Sequence, residues 1–171
     1  MEVMISSLAL VESRARAFNP TAIISIVCPA DDFPAFDEHE AVPIFRRKFD
    51  DICFELHSEH DKDKYSPPTI DLVLDILKFG EDNLTNDSRL ISHCYAGISR
   101  SSAAAIIAMI PLLGAEDAVQ QVSDLKIKLS DDKMRSGRQW LMPNNLMIEY
   151  ADKILNFNGE LVKLVNRSFD Y

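Results

Sequence analysis

The chain has 171 residues, 47% of them apolar and 26% charged, the balance of one ordinary globular domain over residues 1–171 with a single sizeable core. Its formal net charge of −9 at pH 7 argues against nucleic acid or an anionic membrane as the main partner. Any anion site must then be local, built from backbone amides and one or two arginines. The cysteines, Cys28, Cys53 and Cys94, are odd in number, and the opening MEVMISSLAL lacks the basic flank of a secretory signal. Free thiols in a reducing, cytoplasmic setting are the expectation. No apolar run is long enough to span a bilayer.

In chain order, the start reads as a short strand running into a helix with Leu8, Val11 and Ala15 on its apolar side, broken at Asn19-Pro20. Ala22 to Val27 (AIISIV) is a buried-strand run. Asp31 to Pro43 reads as an acidic loop, and Ile44 to Phe49 (IFRRKF) as another strand. Asp50 to Ser66 is polar and irregular, and Ser66-Pro67-Pro68-Thr69 suits a helix start. Ile70, Val73, Leu74 and Leu77 then follow a helical stripe.

Asn83 to Ser88 reads as a turn, Arg89 to His93 as a strand and Cys94 to Ser99 as a short loop. A small-residue apolar helix over Arg100 to Ile110 is expected to stop at Pro111. Ala118, Val122, Leu125 and Leu129 mark the next helix, and Asp131 to Gly137 a charged loop. Pro143 opens a helix with Met147, Tyr150, Ala151 and Ile154 on one face, and a last short helix surrounds Leu161 to Val165. Strands alternating with helices predict an α/β fold with a central, mostly parallel sheet flanked by helices. Ligands in such sheets sit at the carboxyl ends of strands, beside helix N-termini, and Arg89 to Ile110 has that strand–loop–helix shape.

The loop His93-Cys94-Tyr95-Ala96-Gly97-Ile98-Ser99-Arg100-Ser101 suits phosphate in each part. The backbone N–H groups from Tyr95 through Ser99 to Arg100 can line an anion nest, and Gly97 permits geometry that a Cβ resists. The opening helix adds orphan amides and its positive dipole end. That field favours Cys94 as a thiolate. Arg100 offers a planar fork for two phosphate oxygens. Ser101 or Ser99 can hydrogen-bond the cysteine sulfur, and His93 can set the loop through its ring nitrogens.

HCYAGISRS resembles the HC-x-x-G-x-S/T-R-S signature of protein-tyrosine phosphatases, and especially the HC-x-A-G-x-S-R-S form of dual-specificity phosphatases. Leu141-Met142-Pro143-Asn144-Asn145-Leu146 is similar to the Pro-Asn helix start that follows the signature in the latter. The resemblance implies a phosphotyrosine-phosphatase-like fold and metal-independent hydrolysis of phosphomonoesters through a phosphocysteine intermediate. It also implies no cofactor and, as default substrate, phosphotyrosine, with dual specificity open. Phosphate, sulfate or vanadate would sit in the Cys94–Arg100 loop.

The family takes its general acid from an aspartate on a loop after an upstream strand. Phe49-Asp50-Asp51-Ile52 follows the IFRRKF strand and resembles that element, so Asp51 is the first choice and Asp50 the next. By spacing from the cysteine, Asp63 or Asp61 fits the family better. The reading adopted is that His57 to Lys64 is an insertion in the acid loop.

His57 to Asp63 also clusters metal-ligand residue types, but without a second converging pair it reads as a solvated loop. Cys28 and Cys53 read as core or strand-edge residues, with trapping of an oxidised Cys94 as a disulfide the alternative. Trp140 reads as a packing anchor. Two further functions compete with hydrolysis: a catalytically weak module that binds phosphoresidues, and sulfur transfer or arsenate reduction. Arg100 and Ser101 favour the phosphatase.

Overall fold

The computed structural model describes residues 1–133 and 141–169. In chain order the elements are β1 (Glu2–Ser7), α1 (Val11–Phe18), β2 (Ala22–Val27), β3 (Ile44–Lys48), α2 (Glu59–Lys64), α3 (Ile70–Asn83), β4 (Arg89–Cys94), α4 (Arg100–Leu113), α5 (Ala115–Lys133), α6 (Asn145–Ile154) and α7 (Glu160–Phe169), with a 3-10 turn at Asp37–His39. The strands form one sheet in the order β1-β4-β2-β3, parallel at every pairing.

Strand sequences match their places in this order. β2 is buried along its whole length, as an inner parallel strand covered on both faces must be, which is why AIISIV does not alternate. β3 lies at an edge and exposes Arg46, Arg47 and Lys48; charge there discourages pairing with another chain. One face of the sheet packs Ile24, Ile26 and Leu90 into the main core with α3, α4 and α6. The other packs Ile23 and Ile91 under Val11 and Ala15 of α1 and under Phe36.

α4 is buried from Arg100 to Ile110, and an all-round apolar helix of this kind belongs in the interior. Its alanines let neighbours approach closely. Gly80 of α3 lies against the backbone of Ala108, where an added Cβ would collide with the carbonyl oxygen. Asp152 of α6 is buried, and its carboxylate accepts from the amides of Gly159 (2.7 Å) and Leu161 (2.9 Å), capping α7.

Several local expectations need correction. α4 runs through Pro111 to Leu113: the proline falls in the last turn, and the amide of Gly114 still closes on Ile110 O at 2.9 Å. The buried stripe of α3 is Leu72, Val73, Ile76, Leu77 and Gly80, whereas Ile70 and Leu74 are exposed. Leu8 lies in the turn before α1. Within the stretch expected to be irregular, Ser58 Oγ accepts from the Asp61 amide and starts the short helix α2. Residues 131–133 continue α5; the remainder of the expected charged loop and Trp140 lie outside the described residues.

Candidate active site

β4 ends at Cys94 and α4 begins at Arg100, so the loop between them sits at the carboxyl edge of the sheet. Gly97 takes φ +71°, and a Cβ there would lie 2.6 Å from backbone atoms of Ser6 and Ser7. Glycine is thus required twice, by conformation and by contact with the end of β1. The loop carbonyls are occupied from outside. Tyr95 O accepts from Leu8 N at 3.1 Å, Ile98 O from Met142 N at 3.3 Å, and Ser99 O from Asn144 N at 3.2 Å; Ser102 Oγ adds bonds to Ile98 O and Ser99 O. In a planar trans peptide the N–H points opposite to the carbonyl. Outward carbonyls therefore aim the amides of Ser99 and Arg100 toward the loop's interior, an arrangement able to bind an anion.

Cys94 is buried, with Sγ 3.2 Å from Ser101 Oγ, and Ser92 Oγ donates to Ser101 O at 2.8 Å. His93 is fully buried, its Nε2 hydrogen-bonded to Ser25 Oγ at 2.7 Å on the neighbouring strand. Burial lowers its pKa from 6.5 to about 4, with the Arg100 charge acting in the same direction. The imidazole is accordingly neutral at neutral pH and fixes β4 against β2 as an uncharged partner.

Arg100 is 2% exposed. Nη1 donates to Phe49 O at 2.5 Å and Nη2 to Cys28 Sγ at 3.3 Å, while the Phe49 ring lies 5.8 Å from the guanidinium carbon. The ends of β2 and β3 thus grip one edge of the guanidinium. On the other edge, Nε has no hydrogen-bond partner and lies 3.9 Å from Asp51 Oδ2. A buried guanidinium donor left open costs free energy unless an anion fills it.

Asp51 comes to this site. Its Oδ1 accepts from Ser99 Oγ at 2.7 Å and from Asn144 Nδ2 at 2.9 Å. Asp50 turns to the other side of its loop, where Oδ2 accepts from the Ser66 amide at 2.8 Å. Asp61 and Asp63 belong to α2, the former engaged with Ser58 and Tyr65 in local turns. Tyr95 stands at the rim, 61% exposed.

Two residues have parts here that the sequence did not reveal. Cys28, expected as core or strand edge, touches Arg100. Asn144, expected as a helix start, is fully buried and ties the Asp51–Ile52 segment to the Cys94–Arg100 loop. The parallel register that aligns all strand ends was the available clue for the first. Cys53 adjoins Asn144 Nδ2 at 3.4 Å, and burial followed by the Asp51 charge pushes its thiol up, which disfavours a reactive thiolate there. All three cysteines are free. Among the described residues no three of His, Cys, Asp and Glu converge as a metal site, and no helix is long and apolar enough to cross a membrane.

Neither a protein-family model nor a curated protein matches the sequence. Solved structures do match the fold. The human tyrosine phosphatase-like serine/threonine/tyrosine-interacting protein superposes with a TM-score of 0.59 at 17% identity, over 91% of this chain and 92% of that one. Tk-PTP in its active form gives 0.53 at 16%, over 91% and 92%. A mouse putative dual specificity phosphatase complexed with zinc tungstate gives 0.51 at 16%, over 94% and 86%. The α/β architecture with its parallel sheet is therefore the fold of these phosphatase and phosphatase-like structures.

Proposed function

We propose that this chain, built on the fold of tyrosine and dual-specificity phosphatases, hydrolyses phosphomonoesters through a phosphocysteine intermediate, with phosphotyrosine as the first substrate to test. The observation that carries the reading is the meeting of Cys94, Arg100 and Asp51 at one edge of the sheet, where Arg100 Nε is open and 3.9 Å from the aspartate. Phosphate fits that opening: the Nε edge of Arg100 and the amides of the Tyr95–Arg100 loop bind its oxygens, and the grip of Phe49 O and Cys28 keeps the guanidinium from turning away.

Cys94, as the thiolate, attacks phosphorus as the ester P–O bond breaks, forming the S–P bond, while protonated Asp51 gives its proton to the leaving oxygen. Water then attacks phosphorus. Asp51 takes a proton from that water, and the sulfur leaves, stabilised by Ser101 Oγ at 3.2 Å. His93 stays neutral and holds the base of the loop. No step calls for a metal.

The test is phosphate release from p-nitrophenyl phosphate, with and without EDTA, by the wild type and by Cys94→Ser. Turnover insensitive to EDTA and abolished in the variant, which retains vanadate binding, is expected. Activity that survives Cys94→Ser, or that chelation removes, refutes the mechanism. A second reading, a phosphoresidue-binding module, draws support from the structural likeness to a protein described as phosphatase-like and interacting. Phosphopeptide binding without turnover would select it.

A further inference from the structure

Resting on that reading, we propose that Asn144, together with Ser99, is a positioning residue that dictates which oxygen of Asp51 delivers the proton. Asn144 is fully buried. Its orientation is not free to flip: Oδ1 accepts from the Met147 amide at 3.1 Å, a backbone donor, so the NH2 group must face the acid loop. There Nδ2 donates to Asp51 Oδ1 at 2.9 Å and to Ile52 O at 3.0 Å. Ser99 Oγ donates to the same Asp51 Oδ1 at 2.7 Å.

An oxygen that already accepts two hydrogen bonds is a poor seat for a proton. Once the proposed phosphate occupies Arg100 Nε and offsets its charge, protonation thus falls on Oδ2, which lies 3.9 Å from that Nε and on the phosphate's side of the carboxylate. The Ser99 carbonyl in turn accepts from the Asn144 amide at 3.2 Å. Loop and acid are therefore indexed to one residue, the loop through its backbone N–H and the acid through its carboxamide, and the spacing between nucleophile and proton donor is set by the start of α6 rather than by the acid loop itself. Cap and index functions reside on different atoms of Asn144, so they can be separated.

Asn144→Asp keeps the cap, because aspartate accepts from the Met147 amide equally well, but it places an oxygen against Asp51 where a donor stood. Wild type, Asn144→Asp, Ser99→Ala, Asp51→Asn and the Asn144→Asp/Asp51→Asn double variant are compared on aryl phosphates of graded leaving-group pKa. Asn144→Asp should lose at least about tenfold in kcat on phenyl phosphate, but no more than about threefold on p-nitrophenyl phosphate, at nearly constant KM. Ser99→Ala should show the same trend more weakly. In the Asp51→Asn background the Asn144 change should add little, since the group it positions is gone.

Hydrogen exchange gives the independent readout: faster exchange over residues 50–56 in Asn144→Asp, with α6 still protected. A loss equal across all leaving groups, or unchanged exchange over 50–56, overturns the assignment and leaves Asn144 a helix cap. An inactive wild type fails the phosphatase reading instead, and the exchange comparison then decides by itself whether Asn144 holds the acid loop.

Discussion

Acid should destabilise this protein partly through His93. Burial lowers the ring's pKa to about 4, with the Arg100 charge adding to the effect, whereas in the unfolded chain it titrates near 6.5. Between those values the unfolded state binds a proton that the folded state refuses. Stability therefore falls as pH drops from 6.5 toward 4 and is untouched by this group above that window. At pH 4.5 the difference is about 2–3 kcal/mol, large against a typical stability of about 5–15 kcal/mol. Urea unfolding of wild type and His93→Asn at pH 7.5 and 4.5 measures it. Asparagine offers Ser25 a polar partner but does not titrate, so the variant, weaker at pH 7.5 through lost ring packing, should lose about 2–3 kcal/mol less on acidification. Equal acid losses in both proteins, at unchanged m-values, would refute the claim that a dry, neutral imidazole sits beside the nucleophile.

Asp51→Asn should lower kcat about 10²–10⁴-fold on poor leaving groups while leaving KM near its original value, because the amide oxygen can still accept from Ser99 and Asn144; Asp61→Asn and Asp63→Asn should match the wild type in the same assay. Arg100→Lys should raise the vanadate Kd and cut kcat together, since lysine cannot both satisfy Phe49 O and present a second edge to phosphate; wild-type kinetics would contradict the grip described. Gly80→Ala should destabilise by about 1–3 kcal/mol despite alanine's better helix propensity, because the methyl meets the Ala108 carbonyl. Thermal unfolding checks this, with a drop of about 2–4 °C expected for each kcal/mol.

The features legible in the sequence were those in which neighbours along the chain are also neighbours in space. HCYAGISRS places its turn glycine, its helix start and its arginine within one strand–loop–helix unit, and β2 declared itself by an unbroken apolar run. Asp51 was singled out by its resemblance to the family's strand-then-aspartate element, and the structure places it, three residues past β3, against Ser99 of the loop. The Asn144 contacts were not, because nothing in residues 141–146 records that the carboxamide meets a loop some ninety positions earlier in the chain. Cys28 was missed for the same reason: its partner Arg100 belongs to another element. The α3 stripe was misassigned at Ile70 and Leu74: a helical period was present, but the buried face is centred on Leu72, Val73, Ile76 and Leu77, which leaves those two exposed. Pro111 misled because a rule for helix interiors was applied within the last turn of α4.

The order in which the chain is made gives the Asn144 bond one more consequence. During synthesis the four strands and α4 are all available once α5 emerges, so the nucleophile loop can close on the end of β1 before residue 144 exists. Asp51 then has Ser99 but not yet its amide partner. On the proposed mechanism, Asp51 gains its second partner only when α6 docks, a long-range contact whose loop-closure cost makes it late. A C-terminally clipped chain lacking α6 would leave Asp51 with Ser99 as its remaining partner, and on the same mechanism its loss of turnover would be greatest on poor leaving groups.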